Sequence, residues 1–324
     1  MRADARRWFE RRTSRAADWP LPRLLAAKGD SRVAVVLPAL NEAATVGRII
    51  TRIRRDLFPL NEGPASRPGL LDEIVVMDSG STDRTAEVAT DAGARVVHRG
   101  DVLPGYPPRA GKGEVLWRSL AATSSDVIVF IDSDLTDFHS AFVTGLLGPL
   151  LTDPSVSFVK ATYDRPVTGS DAPAGGGRVT ELVARPLLNV HWPELAGFVQ
   201  PLGGEYAARR SLLERLPFPC GYGVEFGLLV DTLRLVGLDA MAQVDLTRRK
   251  HRNQDNDKLG RMATEIWLVA LARLESERKV DVLRRPATAM TQFERSGAGY
   301  RLIDTDIEGR ERPPIVSVAG YAAS

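Results

Sequence analysis

Cysteine is almost absent from this chain of 324 residues, because Cys220 is the only one. A single cysteine cannot form an internal disulfide or a thiolate metal cluster, so a reducing compartment, the cytoplasm, is expected. The sequence also lacks any run of about 18 apolar residues, the length that a membrane-spanning helix needs, and no contact with a membrane is predicted. No signal peptide is expected either, because residues 1–7 lead into Trp8-Phe9-Glu10 and not into an apolar stretch.

The chain also lacks an excess of either charge. Lys and Arg number 43 and Asp and Glu number 41, which gives a net charge of +2. This balance does not support bulk electrostatic binding to nucleic acid or to an anionic membrane. Hydrophobic residues make up 44% and charged residues 26%, and these proportions are typical of a globular protein.

Apolar runs and helix-like segments alternate in the first half of the chain. Strands are predicted at 33–37, 73–77, 94–98 and 127–131, and helices at 43–55, at 82–92 and from 113 onward. This alternation predicts an α/β fold with a parallel, doubly wound sheet, in which ligands bind at the carboxyl ends of the strands. The second half is less regular, with strands predicted at 157–161, 205–208 and 240–246 and helices at 178–189, 210–216, 224–235 and 257–277. Residues 1–31 are predicted as an N-terminal arm, 32–275 as the main domain and 276–324 as a C-terminal tail.

Asp132-Ser133-Asp134 follows the fourth predicted strand directly. Two carboxylates at the end of a buried strand are unfavourable unless a positive charge meets them, and a divalent cation that bridges to a diphosphate would do so. A turn with two solvated aspartates is the plain alternative. The segment 132–136 also fits the DxDxT motif of dehalogenase-type phosphatases, with Asp132 as nucleophile. That motif normally follows the first strand of its fold, and here three strand–helix units precede it.

Other polar segments follow strands or open helices. Asp78 ends the second strand, and the residues after it can cap the next helix. Lys112 lies in a Gly-rich loop before a helix, where it could contact a phosphate or a sugar, or simply be solvated. This loop is not a P-loop, because Gly113 stands where Ser or Thr is needed. The glycine run that ends at Gly177 opens a helix whose N-terminus could bind an anion, or it could be a flexible loop.

Two further segments come later in the chain. Glu225 lies in the first turn of a predicted helix, a placement that the helix dipole alone favours. His251 is one of only four histidines and stands beside Arg252 and Asn253 after a strand. A lone histidine is usually structural, but this one could be a further metal ligand.

Together these segments resemble the GT-A glycosyltransferases. The resemblance is closer to the family of glucosyl-3-phosphoglycerate synthases and their mannosyl relatives, and it covers roughly residues 30–275. The segments that carry it are 35–42, 78–83, 111–120, 132–134, 175–188, 200–202, 204–208, 221–225 and 251–253. Gly203 departs from the family, which has Ser at this point of the Gln-Pro-Leu-Ser-Gly-Glu-Tyr segment.

The resemblance implies a Rossmann-like, mostly parallel sheet flanked by helices, with a nucleotide-sugar half (32–150) and a mixed acceptor-binding half (151–275). It implies that glucose passes from UDP-glucose to 3-phosphoglycerate with retention of configuration, giving glucosyl-3-phosphoglycerate and UDP. It further implies a homodimer, and a role in the synthesis of glucosylglycerate and methylglucose lipopolysaccharides.

The resemblance also assigns roles to residues. Asp134 and His251 are expected to bind Mg²⁺ or Mn²⁺, and Glu225, Lys112 and the backbone of Leu202 are expected at the reacting sugar. Donor contacts are expected from Pro38, Ala39, Leu40, Asn41, Glu42, Ser79, Lys112, Asp132, Ser133, Tyr222, Glu225 and Arg249. Acceptor contacts are expected from Gly177, Arg178, Val179, Thr180 and Asn253.

Three alternatives remain open at this point. The donor could be GDP-mannose, which would make the chain a mannosyl-3-phosphoglycerate synthase. The chain could instead be a dehalogenase-type phosphohydrolase. It could also be a sugar-nucleotide-binding protein without catalysis, although the charged positions of the motifs are all present.

Overall fold

A computed structural model of the chain describes residues 1–59, 68–164, 177–248, 256–307 and 309–321. The strands are β1 (Thr13–Arg15), β2 (Val33–Ala39), β3 (Glu73–Asp78), β4 (Arg95–His98), β5 (Val127–Phe130), β6 (Phe158–Asp164), β7 (Tyr206–Arg209), β8 (Phe218–Pro219), β9 (Met241–Arg248), β10 (Ala289–Ser296), β11 (Gly299–Asp306) and β12 (Glu311–Arg312). The helices are α1 (Ala3–Arg12), α2 (Leu21–Lys28), α3 (Val46–Leu57), α4 (Thr85–Asp91), α5 (Lys112–Ala122), α6 (Ala141–Thr152), α7 (Arg185–His191), α8 (Arg210–Leu213), α9 (Val224–Val236) and α10 (Asn256–Ser276).

One mostly parallel sheet organises the described part of the chain. Its eight strands in the described ranges run in the order β1-β9-β6-β7-β5-β2-β3-β4. β2 lies parallel to both β3 and β5, whereas β7 runs antiparallel to its neighbours β5 and β6. The α/β fold predicted from the alternating pattern is therefore confirmed. Because β2, β3 and β5 are parallel, the loops that follow them meet at one edge of the sheet.

The central strands are buried because their residues are apolar on both faces. The residues from Val33 to Leu37 are all fully buried, and such continuous apolar runs suit a sheet that helices cover on both sides. α3 shows how a helix fits against it. Ile49, Ile50 and Ile53 are buried while the arginines of the same helix face outward, which is the pattern of an amphipathic helix.

α6 was not predicted, because it lacks a polar face. Residues from Phe142 to Leu150 are buried all around the helix, so the sequence shows no period of 3.6 residues from which a helix could be recognised. Pro149 lies inside it, and proline ordinarily disfavours the interior of a helix. Among the described residues, no helix is both long enough and apolar enough to cross a membrane.

The segments predicted as arm and tail also pack onto the domain. β1 pairs with β9 at the sheet edge, and the fully buried ring of Trp8 donates a hydrogen bond to the carbonyl of Met241. At the other end of the chain, β12 pairs with β8, and Ile315 is fully buried. Between them, β10 and β11 form an antiparallel hairpin. The two ends are therefore not extended chains, although the domain boundaries themselves remain predictions.

Candidate functional site

The loop after β2 is held by hydrogen bonds to the loop after β3. Asn41 adopts a positive φ of 59°, a conformation that Asn tolerates better than most residues. Its side-chain oxygen accepts a hydrogen bond from the Thr82 amide at 2.8 Å, and its own amide donates to the Ser81 hydroxyl at 3.0 Å. The Glu42 amide donates to the Thr85 hydroxyl at 2.8 Å. These contacts fix the backbone at Asn41 and Glu42, two of the residues from which donor contacts are expected.

Asp78 organises the loop after β3. Its buried carboxylate accepts hydrogen bonds from the amides of Gly80 and Ser81 and from the Ser81 hydroxyl. His98, at the end of the neighbouring β4, contacts it through Nδ1 at 2.9 Å. The carboxylate therefore has a structural task, holding the turn that presents Ser79, whose amide donates to the Ala39 carbonyl at 2.9 Å. The hydroxyl of Ser133, in the loop after β5, donates a hydrogen bond to the Pro38 carbonyl of β2 at 2.8 Å.

Lys112 lies between two carboxylates that come from distant parts of the chain. Its Nζ is 2.5 Å from Asp132 Oδ1 and 2.9 Å from Glu225 Oε1. Asp132 follows β5, Glu225 stands in the first turn of α9, and Lys112 begins α5. Three of the predicted site residues therefore meet at one point, at the carboxyl edge of the sheet.

Two glycines allow this approach. Gly111 has a φ of 112°, and a Cβ there would overlap the Cys220 carbonyl. A Cβ at Gly113 would overlap the Pro219 carbonyl. The turn that carries Lys112 therefore lies directly on the segment that leads to Glu225, and only residues without side chains permit this distance.

Lys112 stays protonated in this position. Burial alone would lower its pKa, but the negative charges of Asp132 and Glu225 outweigh burial and hold the pKa well above its usual value. The side chain is 22% exposed. A fixed cation of this kind can contact a phosphate oxygen or a sugar hydroxyl.

A second lysine beneath this cluster was not predicted. Lys160, in β6, is fully buried and donates to the Gly203 carbonyl at 2.6 Å. Its Nζ lies 4.8 Å from the centre of the Tyr206 ring. Burial lowers the pKa of Lys160 to about 8, although the charge of Glu225 opposes the shift. The only signal in the sequence was a lysine within an apolar strand.

The turn that contains Leu202 lies against both lysines. Leu202 is half-buried and precedes Gly203, whose amide donates to the Gln200 carbonyl at 3.1 Å. A Cβ at Gly204 would overlap Asp132 Oδ2 and would lie 2.5 Å from Lys112 Nζ. A Cβ at Gly203 would lie 2.9 Å from the Tyr163 hydroxyl. The structure therefore brings the backbone near Leu202 to the Lys112 cluster.

Asp134 stands two residues beyond Asp132, in the same loop after β5. Carboxylate oxygens suit Mg²⁺ and Mn²⁺, so the chemistry of this loop fits the expected ion. Within the described ranges, no group of three or more His, Cys, Asp or Glu side chains could hold a metal. A cation at Asp134 would therefore need ligands from a bound diphosphate and from residues outside those ranges. His251, the other predicted ligand, lies outside them, as do Arg249 and Asn253.

The predicted acceptor segment opens a helical stretch. Gly177 precedes it, and its carbonyl accepts a hydrogen bond from the Glu181 amide at 3.0 Å. Arg178 is exposed, whereas Val179 and Thr180 are buried. The stretch contains a π-helix over Thr180–Ala184 before α7 begins, and such irregular turns are frequent at functional sites.

Tyr222 is predicted to contact the donor. Its backbone amide donates a hydrogen bond to the carboxylate of Glu265 at 2.7 Å.

Comparison with known proteins shows which family the chain resembles. The family described as glycosyl transferase family 2 matches residues 34–201. Glucosyl-3-phosphoglycerate synthase of Mycolicibacterium smegmatis is 46% identical over 314 residues, which span 96% of this chain and 98% of the relative. The synthase of Mycobacterium tuberculosis is 53% identical over 260 residues, 79% of this chain and 77% of the relative.

Solved structures of the Mycobacterium tuberculosis synthase are also similar. One, in complex with Mn²⁺, UDP-glucose and phosphoglyceric acid, has a TM-score of 0.79 and 46% identity, and the match covers 92% of this chain and 95% of the other. Another, with Mg²⁺ and UDP, has a TM-score of 0.81 and 45% identity, with 94% and 98% covered.

The fold is that of a glycosyltransferase. The chain belongs to glycosyl transferase family 2, and within it to the glucosyl-3-phosphoglycerate synthases. This assignment also removes the dehalogenase-type alternative for Asp132-Ser133-Asp134.

Proposed function

We propose that this enzyme transfers glucose from UDP-glucose to 3-phosphoglycerate, releasing UDP, with the anomeric configuration retained. The observation that carries the proposal is the meeting of Lys112, Asp132 and Glu225 at the carboxyl edge of the sheet. It occurs in a chain that matches the synthases over nearly its whole length. Solved structures of such a synthase hold UDP-glucose and phosphoglyceric acid together.

The donor would lie along the loops after β2, β3 and β5. The backbone over 38–42, Ser79, Asp132 and Ser133 would contact the nucleoside and diphosphate, and Arg249 would add a contact from outside the described ranges. Lys112 is a fixed cation beside this edge. Glu225 and Tyr222 would face the glucose, because sugar hydroxyls donate hydrogen bonds readily to a carboxylate.

Asp134, with His251, would hold Mg²⁺ or Mn²⁺. When bound, a divalent cation offsets the negative charge that develops on the departing diphosphate. The relatives' structures contain Mn²⁺ or Mg²⁺ together with UDP, which supports this ligand choice.

The transfer replaces one bond at the anomeric carbon by another. The bond from the anomeric carbon to the diphosphate oxygen breaks, and a bond to the acceptor hydroxyl oxygen forms on the same face. The hydroxyl proton passes to the departing diphosphate, which becomes UDP. During this exchange the sugar would be oriented by Lys112, Glu225 and the backbone near Leu202. No carboxylate acts as a covalent nucleophile in this proposal.

The acceptor would lie at the start of the helical stretch that follows Gly177. Gly177, Arg178, Val179 and Thr180, with Asn253, would contact its phosphate and carboxylate. An exposed arginine and the amides at a helix start can offset such charges.

UDP release tests the proposed function. The protein is mixed with Mg²⁺, UDP-glucose and 3-phosphoglycerate, and UDP is measured with both substrates and with each alone. UDP that appears only when both are present is the expected result. Release of inorganic phosphate from 3-phosphoglycerate alone, or no release of UDP with both, would overturn the proposal. Repeating the assay with GDP-mannose tests the mannosyl alternative, which predicts faster release of GDP than of UDP.

We further propose a homodimer in the cytoplasm that serves the synthesis of glucosylglycerate and methylglucose lipopolysaccharides. Support for the dimer comes from the family resemblance and from the β10–β11 hairpin, where Phe293, Tyr300 and Leu302 are 66%, 71% and 56% exposed. A hairpin of two strands is marginally stable alone, so a second copy could cover these side chains. Sedimentation of the wild type and of Phe293→Asp tests this, since a monomeric wild type would contradict the proposal.

A further inference from the structure

The end of the chain lies outside the matched family region of 34–201, yet it contacts the turn that carries Lys112. We call residues 309–321 the C-terminal strap. β12 of the strap pairs with β8, and the amide of Cys220 donates to the carbonyl of Arg310 at 2.9 Å. The strap therefore holds the outer side of the segment that leads to Tyr222 and Glu225.

The inner side of the same segment touches the Lys112 turn. The carbonyls of Pro219 and Cys220 occupy the space where Gly113 and Gly111 would carry side chains. The amide of Glu114 donates to the Cys220 carbonyl at 3.2 Å. Strap, β8 segment and Lys112 turn are thus three layers in direct contact.

Arg312 belongs to the strap, pairs with Phe218 of β8 through its backbone, and reaches Glu114 beside the Lys112 turn with its side chain. Its guanidinium is 2.6 Å and 2.9 Å from the two carboxylate oxygens of Glu114, and it also donates to the Pro107 carbonyl at 2.5 Å. Arg312 is 4% exposed and Glu114 is fully buried. Glu114 stands in the first turn of α5, two residues after Lys112. A bidentate pair of this kind fixes orientation as well as distance.

Other contacts of the strap fix the same turn. Arg109 donates to the Glu311 carbonyl at 3.0 Å, and the ring of Trp117 donates to the Pro313 carbonyl at 2.8 Å. Arg118 also pairs with Glu114, at 2.6 Å. Burial alone would raise the pKa of Glu114, but Arg312 and Arg118 outweigh burial and lower it. Glu114 is therefore a charged anchor inside the protein.

We propose that Arg312 is a positioning residue for glycosyl transfer: by holding Glu114 it fixes the turn that places Lys112 between Asp132 and Glu225. The inference rests on the proposed function, in which Lys112 contacts the donor. It makes the last part of the chain a component of the donor site, although none of its side chains needs to touch the donor.

Steady-state kinetics of Arg312→Met and Arg312→Lys test the proposal. Because Lys112 serves the donor, the KM for UDP-glucose should rise by about tenfold in Arg312→Met and less in Arg312→Lys, which keeps the charge but loses the fork. The KM for 3-phosphoglycerate should change by less than about twofold. If Arg312→Met does not fold, the donor KM of Arg312→Lys alone tests the proposal. Wild-type donor KM values in the variants that fold would overturn the proposal.

Arg210→Met is the matched control for loss of a buried arginine. Arg210 is 3% exposed and binds backbone carbonyls at the opposite end of α5, among them Leu120 at 2.7 Å. Its loss should lower the temperature of unfolding without changing the donor KM. Equal rises of the donor KM in Arg210→Met and Arg312→Met would show that Arg312 acts only on general stability.

A double-mutant comparison tests whether the effect passes through Lys112. UDP-glucose binding is measured by calorimetry in Mg²⁺ for Lys112→Met, Arg312→Met and the double variant. Arg312→Met should weaken the binding of UDP-glucose when it is the only change, and it should add nothing in the Lys112→Met background. Additive losses would contradict the inference. Its failure is distinct from failure of the proposed function, in which the wild type itself would not release UDP from both substrates.

Discussion

The Asn41 loop and the Lys112 turn lie at the same edge of the sheet but are held by different interactions. Around Asn41, short polar side chains accept hydrogen bonds from backbone amides, as Asn41 does from Thr82. Around Lys112, mostly buried charges face each other: Asp132 and Glu225 contact one ammonium group, and Arg118 and Arg312 contact Glu114. Breaking a buried ion pair leaves an uncompensated charge, which costs more than the loss of one neutral hydrogen bond.

The difference also concerns where the partners come from. Asn41 and Thr82 follow adjacent strands of the first half, so the nucleotide side of the site is assembled from neighbouring loops. Lys112 meets Glu225, more than a hundred residues later, and depends on Arg312 near the end of the chain. Substitutions around Asn41 should therefore affect mainly the neighbouring loops. Substitutions around Lys112 should also lower the rate of glycosyl transfer.

Loss of Lys112 or Glu225 should have the largest effect. We expect Lys112→Met and Glu225→Gln each to lower kcat/KM by about a hundredfold or more, since both groups would face the reacting sugar. Lys28→Met is a matched control, because Lys28 also pairs with a carboxylate, Asp72, at 2.8 Å but away from the site. Normal turnover in Glu225→Gln would remove that carboxylate from the mechanism.

A methyl group at Gly204 should be nearly as damaging. The Cβ of Gly204→Ala would overlap Asp132 and press on Lys112, so we expect kcat/KM to fall by at least about tenfold. In Gly203→Ala the new methyl would lie 2.9 Å from the Tyr163 hydroxyl and touches neither Asp132 nor Lys112, so the loss should be smaller. Initial rates of UDP release compare the two variants with the wild type; a wild-type rate in Gly204→Ala would show that the cluster tolerates the added methyl group.

Lys160 should make stability depend on pH. Burial lowers its pKa to about 8, below the ordinary lysine value of 10.5, so between these values the unfolded chain binds more protons. The free energy of unfolding should therefore rise with pH across this window, by up to about 3 kcal/mol. Below pH 8 Lys160 is protonated in both the folded and the unfolded state. The free energy of unfolding is then lowered by the full cost of burying its charge.

Urea unfolding of the wild type and of Lys160→Met at several pH values between about 7.5 and 10 measures this effect. The wild type should gain stability relative to Lys160→Met as the pH rises. A constant difference between the two proteins would mean that Lys160 titrates near its ordinary pKa.

Asn41 should give the smallest effect. Asn41→Gly keeps the positive φ of 59° but loses the side-chain oxygen, and about 1 kcal/mol of stability should be lost. Asn41→Ala should lose somewhat more, because Ala is strained in this conformation. Thermal unfolding of the wild type, Asn41→Gly and Asn41→Ala measures this order of stability. If Asn41→Gly lost activity as completely as Lys112→Met, the contrast between the two regions would be wrong.

Much of this architecture could be predicted from local patterns. The strands β2, β3 and β5 were recognisable because continuous apolar runs end in polar residues, and this placed Asn41, Ser79 and Asp132 at one edge of the sheet. The resemblance to the synthases then selected Glu225, which the periodicity alone left as an ordinary residue in the first turn of a helix.

Long-range partners could not be predicted in this way. Lys160 looks like any lysine in a strand until β7 and the Gly203 turn cover it. Arg312 lies in a segment rich in charges and prolines, and only the folded chain shows that it reaches Glu114. α6 was missed because a helix buried on all sides has no polar face. Such features depend on contacts between residues far apart in sequence, which no local period records.

Proton NMR of the product shows whether the enzyme transfers glucose to 3-phosphoglycerate with its anomeric configuration retained. The protein is incubated with Mg²⁺, UDP-glucose and 3-phosphoglycerate, and the anomeric proton of the product is followed as UDP accumulates. We expect a single α-linked glucosyl-3-phosphoglycerate, formed in equal amount to UDP. Free glucose, a β-linked product, or an unchanged mixture would contradict it.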